Sequence, residues 1–217
     1  MKRLLLAGAV IFSTVLLTSA AEEKDAKAEQ LAKDVWQASG GDNWGKIKKL
    51  QFTFIVEDNG KELARASHDW KVVDETDHVT WKDKDVTVNL AAPEQTADGK
   101  AAFARWTNDS YWLLAPLKLL DRGLKLVYEG PKDCNGTACE TLRVSFDKVG
   151  LTSGDEYLLY IDPQTKLVRA WDYTPKPGTT MHGTWDKYET FGGLKLSTSH
   201  DFAGRTIRFA DVKAVTE

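Results

Sequence analysis

Apolar residues recur along this chain in two rhythms. Ala28, Leu31, Ala32, Val35 and Trp36 fall at the i, i+3, i+4, i+7, i+8 spacing of one helix face. Gly40-Gly41 ends that pattern as a glycine C-cap does, and Asp42 is placed to cap a second short helix through Trp44 and Ile47 to Lys49. From Leu50 the period becomes two. Leu50, Phe52, Phe54 and Val56 alternate with Gln51, Thr53 and Ile55, and Asp58-Asn59-Gly60-Lys61 makes a tight turn. Ala64, Ala66, His68, Trp70 and Val72 then share a face, followed by short runs around Val79–Trp81 and Val86–Leu90. Strands separated by polar turns at this spacing predict an antiparallel meander.

The meander is interrupted. After a polar loop, Asp98 can cap a helix through Ala101, Ala102, Phe103 and Trp106 toward Leu113 and Leu114, and Pro116 ends or bends it. The stretch Tyr111 to Leu120 holds eight apolar or aromatic side chains in ten positions. A bilayer span needs roughly 20. This stretch must therefore be covered by the protein's own sheet, a partner or an apolar ligand. Strand periodicity returns at Leu124–Tyr128, Leu142–Phe146, Tyr157–Ile161, Leu167–Tyr173, Met181–Thr190, Leu194–Phe202 and Thr206–Val215. No linker or fixed-period repeat divides the series of roughly ten or eleven strands. The expected fold is mainly β (α+β): one large curled antiparallel sheet, an open half-barrel, with helices packed on its concave side.

The first 21 residues have the layout of a secretory leader. Lys2 and Arg3 precede an apolar run from Leu4 to Leu17, and small residues follow at Ser19, Ala20 and Ala21. Residues 22–217 then form one domain, of a size that supports its own core. The leader carries two basic residues and no acid, so its removal takes the net charge from −3 to −5. That balance argues against a nucleic-acid partner. No transmembrane span is expected after cleavage, and the mature protein is expected in the periplasm or outside the cell.

Secretion also sets the expectation for the two cysteines. Asn135-Gly136, inside Cys134-Asn-Gly-Thr-Ala-Cys139, is a hairpin signal between strand-like runs. A hairpin tip brings the flanking Cα atoms within bridging reach, and an oxidising compartment favours pairing, which predicts a Cys134–Cys139 disulfide. Motifs for catalysis are missing. His68, His78, His182 and His200 are scattered singly, without zinc spacings. Their adjacent acids, as in His68-Asp69, point to the opposite strand face. Gly150-Leu151-Thr152-Ser153-Gly154 has threonine where a nucleophile elbow needs its nucleophile, and it does not open a helix. No cofactor, metal site or catalytic residue is expected.

Eight tryptophans remain to be placed. They fill a wide core, or some of them line a cavity for an apolar ligand. A leader, a first helix ending at Gly40-Gly41, a run of strands, the greasy segment Tyr111–Asp121 with Gly123, and a second run of strands together resemble the periplasmic lipoprotein-carrier (LolA/LolB-like) superfamily. That resemblance implies an open half-barrel that shields acyl chains. The expected function is therefore non-catalytic carriage of a lipid or other hydrophobic ligand. Phe52, Phe54, Trp70, Trp81, Trp106, Trp112, Leu113, Leu114 and Leu117 are its candidate lining, with Trp112–Leu120 as wall or lid. The alternatives are an interaction module that docks an envelope protein through the apolar segment, and a hydrolase with polar groups converging in the hollow.

Overall fold

The computed structural model describes residues 11–146, 154–176 and 178–217, with side chains from Asp25 onward. Residues 1–10 of the expected leader and residues 150–153 of the glycine-flanked turn lie outside the described residues. Among the described residues no helix is long and apolar enough to cross a membrane.

Helix α1 spans Ile11–Ala38. Its predicted stripe is its buried face: Ala28, Leu31, Ala32 and Val35 are all withdrawn from solvent. Gly40 ends it in the left-handed region at φ 81°. The next short helix is a 3₁₀ turn, Gly41–Lys46, preceded by Gly40 rather than started by an Asp42 cap, and the chain is extended again at Ile47.

The strands are β1 (Lys49–Asp58), β2 (Lys61–Lys71), β3 (Thr76–Trp81), β4 (Lys84–Asn89), β5 (Leu124–Cys134), β6 (Thr137–Phe146), β7 (Glu156–Ile161), β8 (Val168–Thr174), β9 (Met181–Thr184), β10 (Asp186–Phe191), β11 (Leu194–Phe202) and β12 (Arg205–Val215). They form one antiparallel sheet in the order β4-β3-β2-β1-β12-β11-β9-β8-β7-β6-β5, with β10 paired to β11 beside this path. The first strand therefore lies against the last in mid-sheet, and β4 and β5 end the main path. This is the open half-barrel predicted. Among the described residues the count of twelve exceeds the expectation because the run Met181–Thr190 is two strands. The chain breaks at Trp185, whose side chain turns into the core and whose amide bonds Arg169 O at 2.8 Å.

Helix α2 (Ala97–Leu114) fills the interruption. Its cap is Thr96, whose hydroxyl accepts from Gly99 N at 3.1 Å, rather than Asp98. Asn108-Asp109-Ser110 are weak helix formers, yet the helix runs through them because Asp109 and Ser110 are buried against the sheet. Pro116 sits in the first turn of the 3₁₀ segment Ala115–Lys118, where its missing N–H costs no helical bond.

The hollow is filled from both sides. One apolar cluster joins α1 to β5–β8 through Leu31, Val35, Leu142, Leu159 and Trp171. The other joins the end of α2 to β1, β11 and β12 through Leu113, Leu114, Phe52, Leu196 and Phe209. Trp112 packs against both. Leu113 and Leu114 are 1 % exposed and Leu119 2 %, and burying such side chains contributes about 1.5–3 kcal/mol each. The greasy segment is thus mostly core, and only Leu120, 49 % exposed, presents a large apolar side chain outward.

The cysteine expectation is corrected. Cys134 and Cys139 are free, buried thiols. The hairpin forms, but its two-residue turn pairs Cys134 with Thr137, and Cys139 with Lys132. The cysteines therefore occupy diagonal rather than opposed positions, where side chains stand farther apart. Burial beside Cys134 pushes the Cys139 thiol up to about 11.

Candidate functional site

A cavity of about 350 Å³ lies over the middle of the sheet, between its concave face and α2. Strand alternation builds its floor. On β1, Phe54 and Val56 share the concave face; on β12, Ile207 does so opposite Val56. Trp171 and Tyr173 stand two apart on β8, beside Tyr157 of β7. Trp112 of α2 forms the wall, with its ring centroid 4.6 Å from that of Trp171 and 5.0 Å from Phe202, both edge-on. The polar lining residues are Asn108 and Arg205, besides the tyrosine hydroxyls. Tyr173 donates its hydroxyl to Asp155 Oδ2 at 2.6 Å, and burial together with that carboxylate pushes its pKa up to about 12. Tyr157 is raised further, first by burial and then by Tyr111 and Tyr173. Both hydroxyls therefore stay neutral at physiological pH.

The sequence-predicted residues are divided by the fold. Phe54 and Trp112 line this cavity. Leu114 and Leu117 border a smaller hollow of about 160 Å³ with Trp36 and Trp44. Trp70 and Trp106 pack edge to face at 5.2 Å. Trp81 carries Arg105 over its ring at 5.1 Å. Leu113 is buried in the α2 cluster, and Phe52 stacks on His68 at 4.6 Å. Sequence reasoning missed Tyr157, Trp171, Tyr173, Phe202 and Arg205 as lining. The i, i+2 placement of Trp171 and Tyr173 was a signal for two of them.

Two histidines face inward. His68 stands between two carboxylates: Nδ1 is 2.7 Å from Asp77 Oδ2 and Nε2 is 3.1 Å from Asp109 Oδ2. All three side chains are closed to solvent, with 2 % the highest exposure. Burial lowers the His68 pKa, the Asp109 and Asp77 hydrogen bonds raise it by more, and the net lies above its ordinary 6.5. His200 is packed among Trp112, Trp185 and Phe209, with Nδ1 3.1 Å from Thr184 O. Burial holds its pKa down to about 4, so this ring is neutral. Neither ring is bonded to a hydroxyl or thiol that it could activate. Among the described residues no group of three or more His, Cys, Asp or Glu is arranged to hold a metal ion.

No protein-family model matches the chain, and no curated protein matches its sequence. Solved structures share its fold. A LolA superfamily protein from Nitrosomonas europaea superposes with a TM-score of 0.51 at 9 % identity, over 86 % of this chain and 94 % of that one. A DUF1329 family protein from Desulfovibrio piger gives 0.50 at 11 % identity, over 88 % and 93 %. Nearly the whole of each partner is matched, so the likeness covers the complete half-barrel with its helices rather than a shared hairpin. The chain has the open half-barrel fold seen in LolA superfamily proteins.

Proposed function

We propose that this protein is a non-catalytic binding or carrier protein for a lipid or another chain-like apolar molecule. The observation that carries this reading is the aromatic cavity under Trp112, walled by Phe54, Trp171 and Phe202. Its volume lies at the low end of the roughly 300–1,000 Å³ typical of small-molecule sites. Each methylene transferred into it from water contributes about 0.8 kcal/mol. The LolA/LolB-like resemblance, which implies shielding of acyl chains, points the same way. Binding rather than turnover is supported by the histidines: His68 is committed to two carboxylates, and His200 is a neutral ring packed among aromatics.

In this reading residues 1–21 are a cleaved leader and the mature domain works in the periplasm or outside the cell. Intact-mass measurement of protein recovered from the cell envelope would give a chain beginning near Glu22. Organic extraction of the same material, followed by mass spectrometry, would release a bound apolar molecule. Protein that comes out empty, and that fails to take up fatty acids or fluorescent acyl probes, would rule the carrier function out.

A further inference from the structure

Among the described residues the cavity is lined by one charged group, Arg205, and no acid pairs with it. Alternation along β12 puts Arg205 on the same concave face as Ile207 and Phe209, and the register places it directly opposite Phe202 across the β11–β12 hairpin. Ala203 and Gly204, both at positive φ (50° and 79°), form the two-residue turn that fixes this pairing. Arg205 therefore stands exposed at the mouth of the cavity, where a long side chain can keep its charged head in water.

Its environment differs from that of the other strand arginines. Arg65 holds Glu62, Arg143 holds Glu129, Arg169 holds Asp162 and Arg208 holds Glu57. Arg208, three residues away on the opposite face, finds its carboxylate on the neighbouring strand, Glu57 of β1. Among the described residues Arg205 has no acid within ion-pair distance, although it lines a cavity that is otherwise largely aromatic. Asn108 faces the same space from α2; its amide gives one N–H to Asp109 Oδ1 at 2.8 Å and keeps a second donor. Guanidinium donors and a spare amide N–H that border one cavity can together receive a carboxylate or a phosphate.

Resting on the carrier reading, we propose that the site takes a single-chain amphiphile with an anionic head: the chain lies under Trp112 and the head pairs with Arg205 and Asn108. Volume favours one chain over two. A dry cavity of about 150 Å³ accommodates a benzene, and 350 Å³ is little more than twice that. The head remains at the mouth, where its charge stays partly hydrated and loses little on binding.

The test uses three probes with one tail: dodecanoate, dodecyl phosphate and dodecanol. Binding to the delipidated mature protein is followed by tryptophan fluorescence, since Trp112 and Trp171 form the wall, and by calorimetry. At least one anion is expected to bind about tenfold or more tighter than the alcohol, the scale of a charge-assisted hydrogen bond. Arg205→Gln is expected to erase that advantage while leaving dodecanol affinity within about twofold, and Arg205→Glu to invert it. Preference for the carboxylate identifies a fatty-acid head, and preference for the phosphate a lysolipid-type head; either supports the proposal. Equal binding of all three probes, or a preference that survives Arg205→Gln, overturns it and leaves the carrier reading standing. Failure of every probe to bind overturns both.

Discussion

His68 Nε2 and Asp109 Oδ2, 3.1 Å apart and sealed from solvent, join the sheet to the middle of α2. Asp77 holds the other ring nitrogen from β3, so three elements meet at one imidazole. Breaking one member of a buried charged array costs about 3–5 kcal/mol, because the remaining charge stays buried. Asp109→Asn should therefore destabilise the domain by about that much in urea unfolding near pH 6. The gap should then narrow with pH. His68 has a folded pKa above 6.5; its contribution is fully present below the unfolded value and is lost as pH rises through the folded one. A gap between wild type and Asp109→Asn that stays constant from pH 6 to pH 10 would show that the ring carries no charge in the fold.

His200 has the opposite sign. Its folded pKa is held down to about 4 by burial, while the unfolded chain titrates near the ordinary 6.5. Between those values the unfolded state binds a proton that the native state refuses, so stability falls with acid. The shift corresponds to about 3 kcal/mol lost between pH 6.5 and pH 4. His200→Phe removes the titrating group from a site already walled by Trp112, Trp185 and Phe209. Unfolding curves across that range should show wild type losing about 3 kcal/mol more than the variant; parallel losses would contradict the assignment.

The alternation of Phe52, Phe54, His68 and Trp70 was legible because these side chains share the buried concave face, and it predicted both the sheet and its inward residues. What the sequence could not show was which distant elements meet. His68 pairs with Asp77 and Asp109 rather than the adjacent Asp69, because neighbours on a strand diverge and the partners come from another strand and a helix. Asn108-Asp109-Ser110 are poor helix material in the middle of the predicted helix, yet the burial of Asp109 against His68 outweighs local propensity. The cavity lining was split for the same reason: Phe54 and Trp112 were found from their own segments, whereas Arg205 is informative only beside Phe202 and Trp112.

Gly40 closes α1 against the β10–β11 turn. A methyl on its Cα would stand 2.1 Å from Gly193 O, a backbone atom, at φ +81°. Lys195 N bonds Ser39 O at 2.9 Å across the same junction, so the clash has no easy relief. Gly60 offers a matched control, with φ +77° and open space around its Cα. Gly60→Ala should cost about 1 kcal/mol from the left-handed backbone alone. Gly40→Ala should exceed about 3 kcal/mol by adding steric overlap. Thermal unfolding of both variants decides this, and similar melting temperatures would mean that the junction yields.

The greasy segment separates core from surface within eight residues. Leu113 is 1 % exposed between Trp112 and Leu114, whereas Leu120 is 49 % exposed after the 3₁₀ turn. Truncating a closely packed leucine leaves a cavity and costs about 2–5 kcal/mol; truncating an exposed one stays within about 0.5 kcal/mol. Leu113→Ala and Leu120→Ala should therefore differ by at least about 1.5 kcal/mol in denaturant midpoints converted at a common slope. The contrast also bears on the docking alternative. A polar substitution at Leu113 or Leu117 breaks the core, so lost partner binding in such a variant reports unfolding. Leu120→Asp changes the surface alone. Were this segment a hinged lid, Leu113→Ala would barely shift the midpoint and would chiefly alter access to the cavity; a large loss of stability assigns the segment to the core of the half-barrel.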